Sequence, residues 1–156
     1  MPKERKRSSK TGLPPGTMMH IGVRKTANPT ITILDYNSEG VEEKQVLYVE
    51  ECFPFKDKDS VTWINVDGLH QTEIIKKMGD HFGMHPLLQE DIVNTHQRPK
   101  VDYFDDYIVI IVKMLLFDEK TKKVASEQVS IVLGGNFVIS FQEGIGGDVF
   151  DPVRER

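Results

Sequence analysis

The stretch His85-Pro-Leu-Leu-Gln-Glu-Asp-Ile-Val-Asn-Thr-His-Gln-Arg-Pro-Lys-Val-Asp-Tyr-Phe104 decides the fold. Pro86 suits the first position of a helix, where its missing N–H is no loss. Leu87, Leu88 and Ile92 then form an apolar stripe, which predicts a helix from Leu87 to about Asn94. Pro99 biases Arg98 towards an extended conformation and closes the helical stretch. Lys100 to Phe104 therefore reads as a strand. The segment is a helix-to-strand switch, and it carries two adjacent carboxylates, Glu90 and Asp91, with His96 five residues after Asp91.

On the N-terminal side of this switch, Thr72 to Phe82 places Ile74, Ile75, Met78 and Phe82 at helical spacing, with Gly83 as its stop. Before it, Met18 to Val23, Thr30 to Leu34, Val41 to Val49 and Val61 to Val66 read as strands. Trp63 falls on the face opposite Thr62 and Ile64. Glu50 to Phe55 reads as a short helical turn ended by Pro54. On the C-terminal side, Tyr107 to Phe117, Glu127 to Leu133 and Phe137 to Phe141 are strands. They are separated by the polar loop 118–123 and the Gly134-Gly-Asn136 turn. Gly144 to Gly147 loosens the chain, and Asp148 to Arg156 reads as a helix beginning. Strands, two helices, more strands and a closing helix predict an α/β fold. The late strands are antiparallel, and the helical insertion allows a parallel neighbour, so the sheet is mixed.

The 156 residues suffice for one domain with a real core. Charge is unevenly spread: residues 1–10 carry five basic side chains against Glu4, leaving 15 basic and 23 acidic residues elsewhere. A short basic tail (1–12) is expected to be disordered. The acidic body argues against nucleic acid, which needs a basic face. Cys52 is the only cysteine, so no internal disulfide forms, and beside Phe53 it reads as a small core residue. The longest apolar run, Ile108 to Val112, is of strand length, far short of a membrane span. No secretory leader pattern is present. These features predict a cytoplasmic, soluble domain.

The chemistry is sparse. No phosphate-binding loop and no Gly-x-Ser-x-Gly elbow occur. His81 and His85 are four apart, but Gly83 lies between them, which favours separate local roles over a zinc site. Glu90 and Asp91 project about 100° apart on a helix. One small ion is therefore not chelated by both. Mg²⁺ accepts one or two carboxylates when waters complete its shell. Spacing alone leaves open whether the pair is a hard-cation site or an ordinary solvated face. A metal-dependent hydrolase using Glu90, Asp91 and His96 is a remote alternative.

The residues resemble one family along nearly the whole chain. Lys10-Thr-Gly-Leu-Pro-Pro-Gly-Thr17, Thr62-Trp-Ile-Asn65, His85-Pro-Leu through Glu90-Asp91-Ile92, His96-Gln-Arg-Pro-Lys-Val101, Ser126-Glu-Gln-Val-Ser130 and Asp148-Val-Phe-Asp-Pro-Val-Arg-Glu-Arg156 look like the cytoplasmic amino-terminal domain of CorA-type magnesium and cobalt transport proteins. The resemblance implies an α/β/α sandwich over residues 13–147, with a central mixed, largely antiparallel sheet flanked by helices. Residues 148–156 would begin a stalk helix leading to membrane helices. It implies a homopentamer, no enzymatic activity and regulatory Mg²⁺, with Co²⁺ or another divalent ion also accepted. The ions would lie between neighbouring subunits and favour the closed channel. By the same resemblance, Asp91 is a metal ligand, Glu90 contributes to a second nearby site, and the backbone carbonyl of Leu13 lies beside that second site. The facing acids would come after Arg156. Alone, the chain is expected to be a monomer or weakly associated, without membrane contact. The family's Gly-Met-Asn pore motif is absent, and Gly83-Met84-His85 matches it only in part. A zinc or other transition-metal transporter domain of the same superfamily is the alternative.

Overall fold

A computed structural model describes residues 12–145 and 150–154. The expected basic tail up to residue 11, and residues 146–149 and 155–156, lie outside the described residues. The strands are β1 (Thr30–Asn37), β2 (Gly40–Val46), β3 (Val61–Asp67), β4 (Lys100–Tyr103), β5 (Ile108–Asp118), β6 (Lys123–Leu133) and β7 (Phe137–Gln142). Two helices, α1 (Thr72–Phe82) and α2 (Pro86–Val93), separate β3 from β4, and a 3₁₀ helix spans Val49–Asp57. The described strands form one sheet in the order β2-β1-β3-β7-β6-β5-β4. Every neighbouring pair is antiparallel except β3 and β7, which run parallel. The fold is therefore α/β with a mixed, largely antiparallel sheet flanked by helices.

Strand alternation assigns the two faces. Ile31, Ile33, Ile64, Val66, Val109, Ile111, Val132, Ile139 and Phe141 share one face and are buried under the helices. Ile75, Met78 and Phe82 of α1, Leu88, Ile92 and Val93 of α2, and Val49, Cys52 and Phe55 of the 3₁₀ helix complete this core. Helix α1 ends where expected: Gly83 has φ 75°, a left-handed conformation that glycine adopts without strain. The Cys52 thiol is fully buried, and burial pushes its pKa up to about 12. It is a core residue and not a reactive one.

The opposite face is thinly covered. Trp63 lies there, opposite Thr62 and Ile64 as the alternation predicts, and its indole N–H donates to Ser140 Oγ at 2.8 Å. Phe150 meets the Trp63 ring edge-on at 5.3 Å, and a four-residue helix, Asp151–Arg154, follows it.

Three sequence expectations are corrected. Met18 to Val23 is not a strand: only Ile21 forms a bridge, pairing in parallel with Asn94. The segment is a strap across the end of α2. The Ile21 N–H donates to Val93 O, and the Thr95 N–H and hydroxyl donate to Ile21 O. Gly22 permits this approach, because a Cβ there would sit 2.1 Å from Thr95 Oγ1. Pro54 does not end the helical turn. It lies inside the 3₁₀ helix, where burial of Cys52 and Phe55 on either side outweighs the one lost donor. Leu87 does not join the apolar stripe of α2, being 48% exposed, while the polar Gln89 takes a buried place. Gln89 Nε2 donates to Met84 O at 3.0 Å, which satisfies it inside the core.

Candidate functional site

Helix α2 carries the candidate residues, and its two ends are fixed by different means. At the start, the His85 ring Nδ1 accepts from the Leu87 N–H at 3.2 Å, and the His85 N–H donates to the Tyr107 hydroxyl at 2.9 Å. At the end, the buried Gln128 side chain donates to the carbonyls of Asp91 and Ile92 at 3.3 and 3.2 Å. Helix ends leave carbonyls short of intrahelical partners, and Gln128 serves two here from the sheet, beside the Asn94 N–H that the Asp91 carbonyl also accepts.

Glu90 and Asp91 face different neighbours. Glu90 Oε2 accepts from the Gly16 N–H at 2.6 Å. Leu13 is three residues before Gly16 and immediately precedes a turn closed by Thr17 on the carbonyl of Pro14. The structure thus brings Gly16 to Glu90, while Leu13 is 43% exposed. Asp91 Oδ2 instead meets Lys100 Nζ of β4 at 2.6 Å, and the same ammonium meets Asp102 Oδ2 at 2.5 Å. Lys100 and Asp102 are two apart on one strand, so both side chains point to the face under α2. Burial alone would lower the Lys100 pKa, but its hydrogen bonds to Asp102 and Asp91 outweigh burial and raise it. Asp91, Lys100 and Asp102 line a cleft of about 280 Å³, together with His85, Leu87, Leu88 and Phe104. Asp91 keeps 23% of its side chain exposed there.

Among the described residues, no group of three or more His, Cys, Asp or Glu side chains is arranged to hold a metal ion. A hard cation at Asp91 would therefore draw on one or two carboxylates, water and donors from elsewhere, a set that Mg²⁺ tolerates. The hydrolase constellation does not assemble. His96 lines a separate cleft with Lys25, Thr95, Lys113 and Glu143. The histidines four apart also part company: His81 stacks on Phe53 with ring centroids 4.0 Å apart, while His85 caps α2.

Sequence reasoning missed the buried polar network behind α2. Glu127 and Gln128 are 1% and 0% exposed. Glu127 Oε1 accepts from the N–H groups of Gly144 and Ile145, at 3.0 and 3.4 Å. Glu143 accepts from the Gln128 N–H at 2.7 Å and pairs with Lys25 at 2.7 Å. Burial pushes the Glu127 carboxyl above the usual range. The N–H groups of Ile145 and Gly144 pull it down, and the charge of Glu143 pushes it further up. A carboxyl with a raised native pKa stabilises the fold fully below its unfolded pKa of about 4.3 and loses that contribution as pH rises through the native value. The Glu127→Gln variant is therefore expected to gain stability relative to the parent chain as pH rises from 4.5 towards 7. Urea unfolding of both across that range checks it, and a pH-independent difference would contradict it.

Comparisons with known proteins agree with this architecture. Residues 58–152, more than half the chain, match the model of a family described as CorA-like Mg²⁺ transporter protein. The chain is 46% identical over 154 residues to the cobalt/magnesium transport protein CorA of Thermotoga maritima. It is 33% identical over 79 residues to a putative metal ion transporter, YfjQ, of Bacillus subtilis. It spans less than half of either relative, 43% and 23% of their lengths. The complete structure of the CorA magnesium transporter from Methanocaldococcus jannaschii superposes with a TM-score of 0.54 at 16% identity, covering 80% of this chain and 35% of that one. The full-length CmaX structure superposes with a TM-score of 0.51 at 15% identity, covering 73% of this chain and 35% of that one. Among the described residues, no helix is long and apolar enough to cross a membrane. With its mixed sheet, its two-helix insertion and this span of matching sequence, the chain belongs to the CorA-like Mg²⁺ transporter family.

Proposed function

We propose that this chain is the regulatory domain of a divalent-cation transporter, placed on the cytoplasmic face of the membrane and acting within a homopentamer without enzymatic activity. Mg²⁺ is the regulatory ion, with Co²⁺ or another divalent ion able to take its place. Asp91 supplies one carboxylate to a cation shared with a neighbouring subunit. Glu90 and the carbonyl of Leu13 contribute to a second position close by. The observation that carries this reading is the presentation of Asp91. Helix α2 is anchored at both ends, and a partly exposed carboxylate stands at the rim of a cleft where a cation, the Lys100 ammonium, is already attracted. A cation between carboxylates of two subunits offsets their repulsion only while the subunits stay together.

Weak sites suffice for such a sensor. One half-saturated site that binds only the closed state contributes about 0.4 kcal/mol. Five of them sum to about 2 kcal/mol, enough to shift a gating equilibrium more than tenfold. In the assembled transporter, Asp91→Asn is expected to raise the Mg²⁺ concentration that protects against proteolysis. Unchanged protection would count against the role of Asp91. Calorimetry on the chain alone should show only weak Mg²⁺ binding, and one tight stoichiometric site would overturn the shared-site reading.

A further inference from the structure

We propose that Lys100 is a built-in competitor of the divalent cation at Asp91, and that Asp102 is the place to which its ammonium withdraws. The inference rests on the reading of Asp91 as a divalent-cation ligand and adds how the affinity of that position is set. Lys100 Nζ contacts Asp91 Oδ2 at 2.6 Å and Asp102 Oδ2 at 2.5 Å, so these two oxygens are at most about 5 Å apart. A cation arriving at Asp91 meets a carboxylate with one oxygen already held by an ammonium that it shares with Asp102. To use that oxygen it pushes the ammonium aside.

The displacement does not strand a charge. Lys100 keeps 29% of its side chain exposed and retains the Asp102 contact when the Asp91 contact breaks. The ammonium moves by a small rotation of a flexible four-carbon stem. The backbone below it need not change, because Lys100 is fixed in register opposite Ile111 of β5. Mg²⁺ has twice the charge of the ammonium but holds its waters strongly. The exchange is therefore closely balanced, and it raises the Mg²⁺ concentration at which Asp91 fills.

This arrangement predicts effects of opposite sign from neighbouring residues. Mg²⁺ titration of the 156-residue chain, followed by NMR at the Asp91 amide, reads the midpoint directly. Removing the competitor in Lys100→Met should lower the midpoint about five-fold, the scale of one partly exposed ion pair. Lys100→Arg keeps the charge and grips carboxylates with two N–H donors, so it should raise the midpoint. Asp102→Asn removes the withdrawal site and should also raise it. The double variant Lys100→Met/Asp102→Asn should behave as Lys100→Met, since Asp102 acts through the lysine. Lys120→Met, in the β5–β6 turn, makes the same charge change elsewhere and should leave the midpoint in place. The proposal is overturned if Lys100→Met and Lys120→Met shift the midpoint equally, or if Lys100→Met leaves it unchanged while Asp91→Asn still abolishes the response. Loss of the reading itself gives a different result: the Mg²⁺ response at the Asp91 amide then survives Asp91→Asn.

Discussion

Replacing Gln128 by leucine is expected to cost the domain about 3 kcal/mol, or about 10 °C in melting temperature for a chain of this length. Leucine is close in size, so no large cavity opens, and the loss is polar. Gln128 is fully buried and joins three groups: it donates to the carbonyls of Asp91 and Ile92 and accepts from Lys113 Nζ at 3.0 Å. Without it, the Ile92 carbonyl loses its side-chain donor in the core, and the Asp91 carbonyl keeps only the Asn94 N–H. Lys113 keeps only the carbonyl of Thr95 among these partners. Burial already lowers the Lys113 pKa, against the raising effect of Glu143 and with the charge of Lys25 adding to the lowering. A lost acceptor deepens that cost. Thermal unfolding by circular dichroism measures the loss. Amide exchange locates it, with faster exchange in α2 than in α1. A melting temperature within about 2 °C of the parent, less than one kcal/mol for a domain this size, would show that the carbonyls find other partners. The consequence reaches the site, since Gln128 fixes the turn of helix from which Asp91 projects.

This network also explains what part of the site the sequence discloses. Ser126 to Ser130 contributes to the family resemblance, yet alternation alone predicts a strand with one wetter face. The structure buries Glu127 and Gln128 instead, because their partners come from far along the chain: α2, Glu143 and Gly144. Local signals are read well where local physics sets the answer. Helix α1 has the bounds that its apolar spacing and Gly83 indicate, and Pro86 opens α2 as its missing N–H predicts. Reading fails where the answer is tertiary. The Met18–Val23 segment has strand composition, but the backbone bonds of Ile21 go to Val93 and Thr95 at the end of α2, which it straps instead. Lys100 shows the same limit at the site. Nine residues from Asp91 and across a proline, it has no local reason to be its partner. Only the pairing of β4 with β5, under α2, brings the two together.

The parallel pairing of β3 with β7 is the other feature that periodicity leaves open, and it makes Phe141 the most costly position to empty. Two antiparallel blocks, β2-β1-β3 and β7-β6-β5-β4, meet along that single line in the sheet. Phe141 lies on it, opposite Val66 of β3 on one side and Ser130 of β6 on the other, and is fully buried. Phe141→Ala removes a ring from a position held on both sides by paired strands, whose backbones cannot collapse into the space. The expected loss is about 4 kcal/mol, against a total stability of about 5–15 kcal/mol for a domain. The melting temperature should fall by about 12 °C. Trp63, the only tryptophan, lies on β3 and bonds across the seam to Ser140 of β7, so it reports the seam, while far-ultraviolet dichroism reports the whole sheet. Because the helices cover both blocks with one continuous core, the two signals should still fall together in the variant, at the lower temperature. If the tryptophan signal changes first and much of the dichroism survives, the seam opens before the two blocks unfold and is not what couples the sheet. If neither signal moves by more than a few degrees, the neighbours of Phe141 repack and the seam tolerates the cavity.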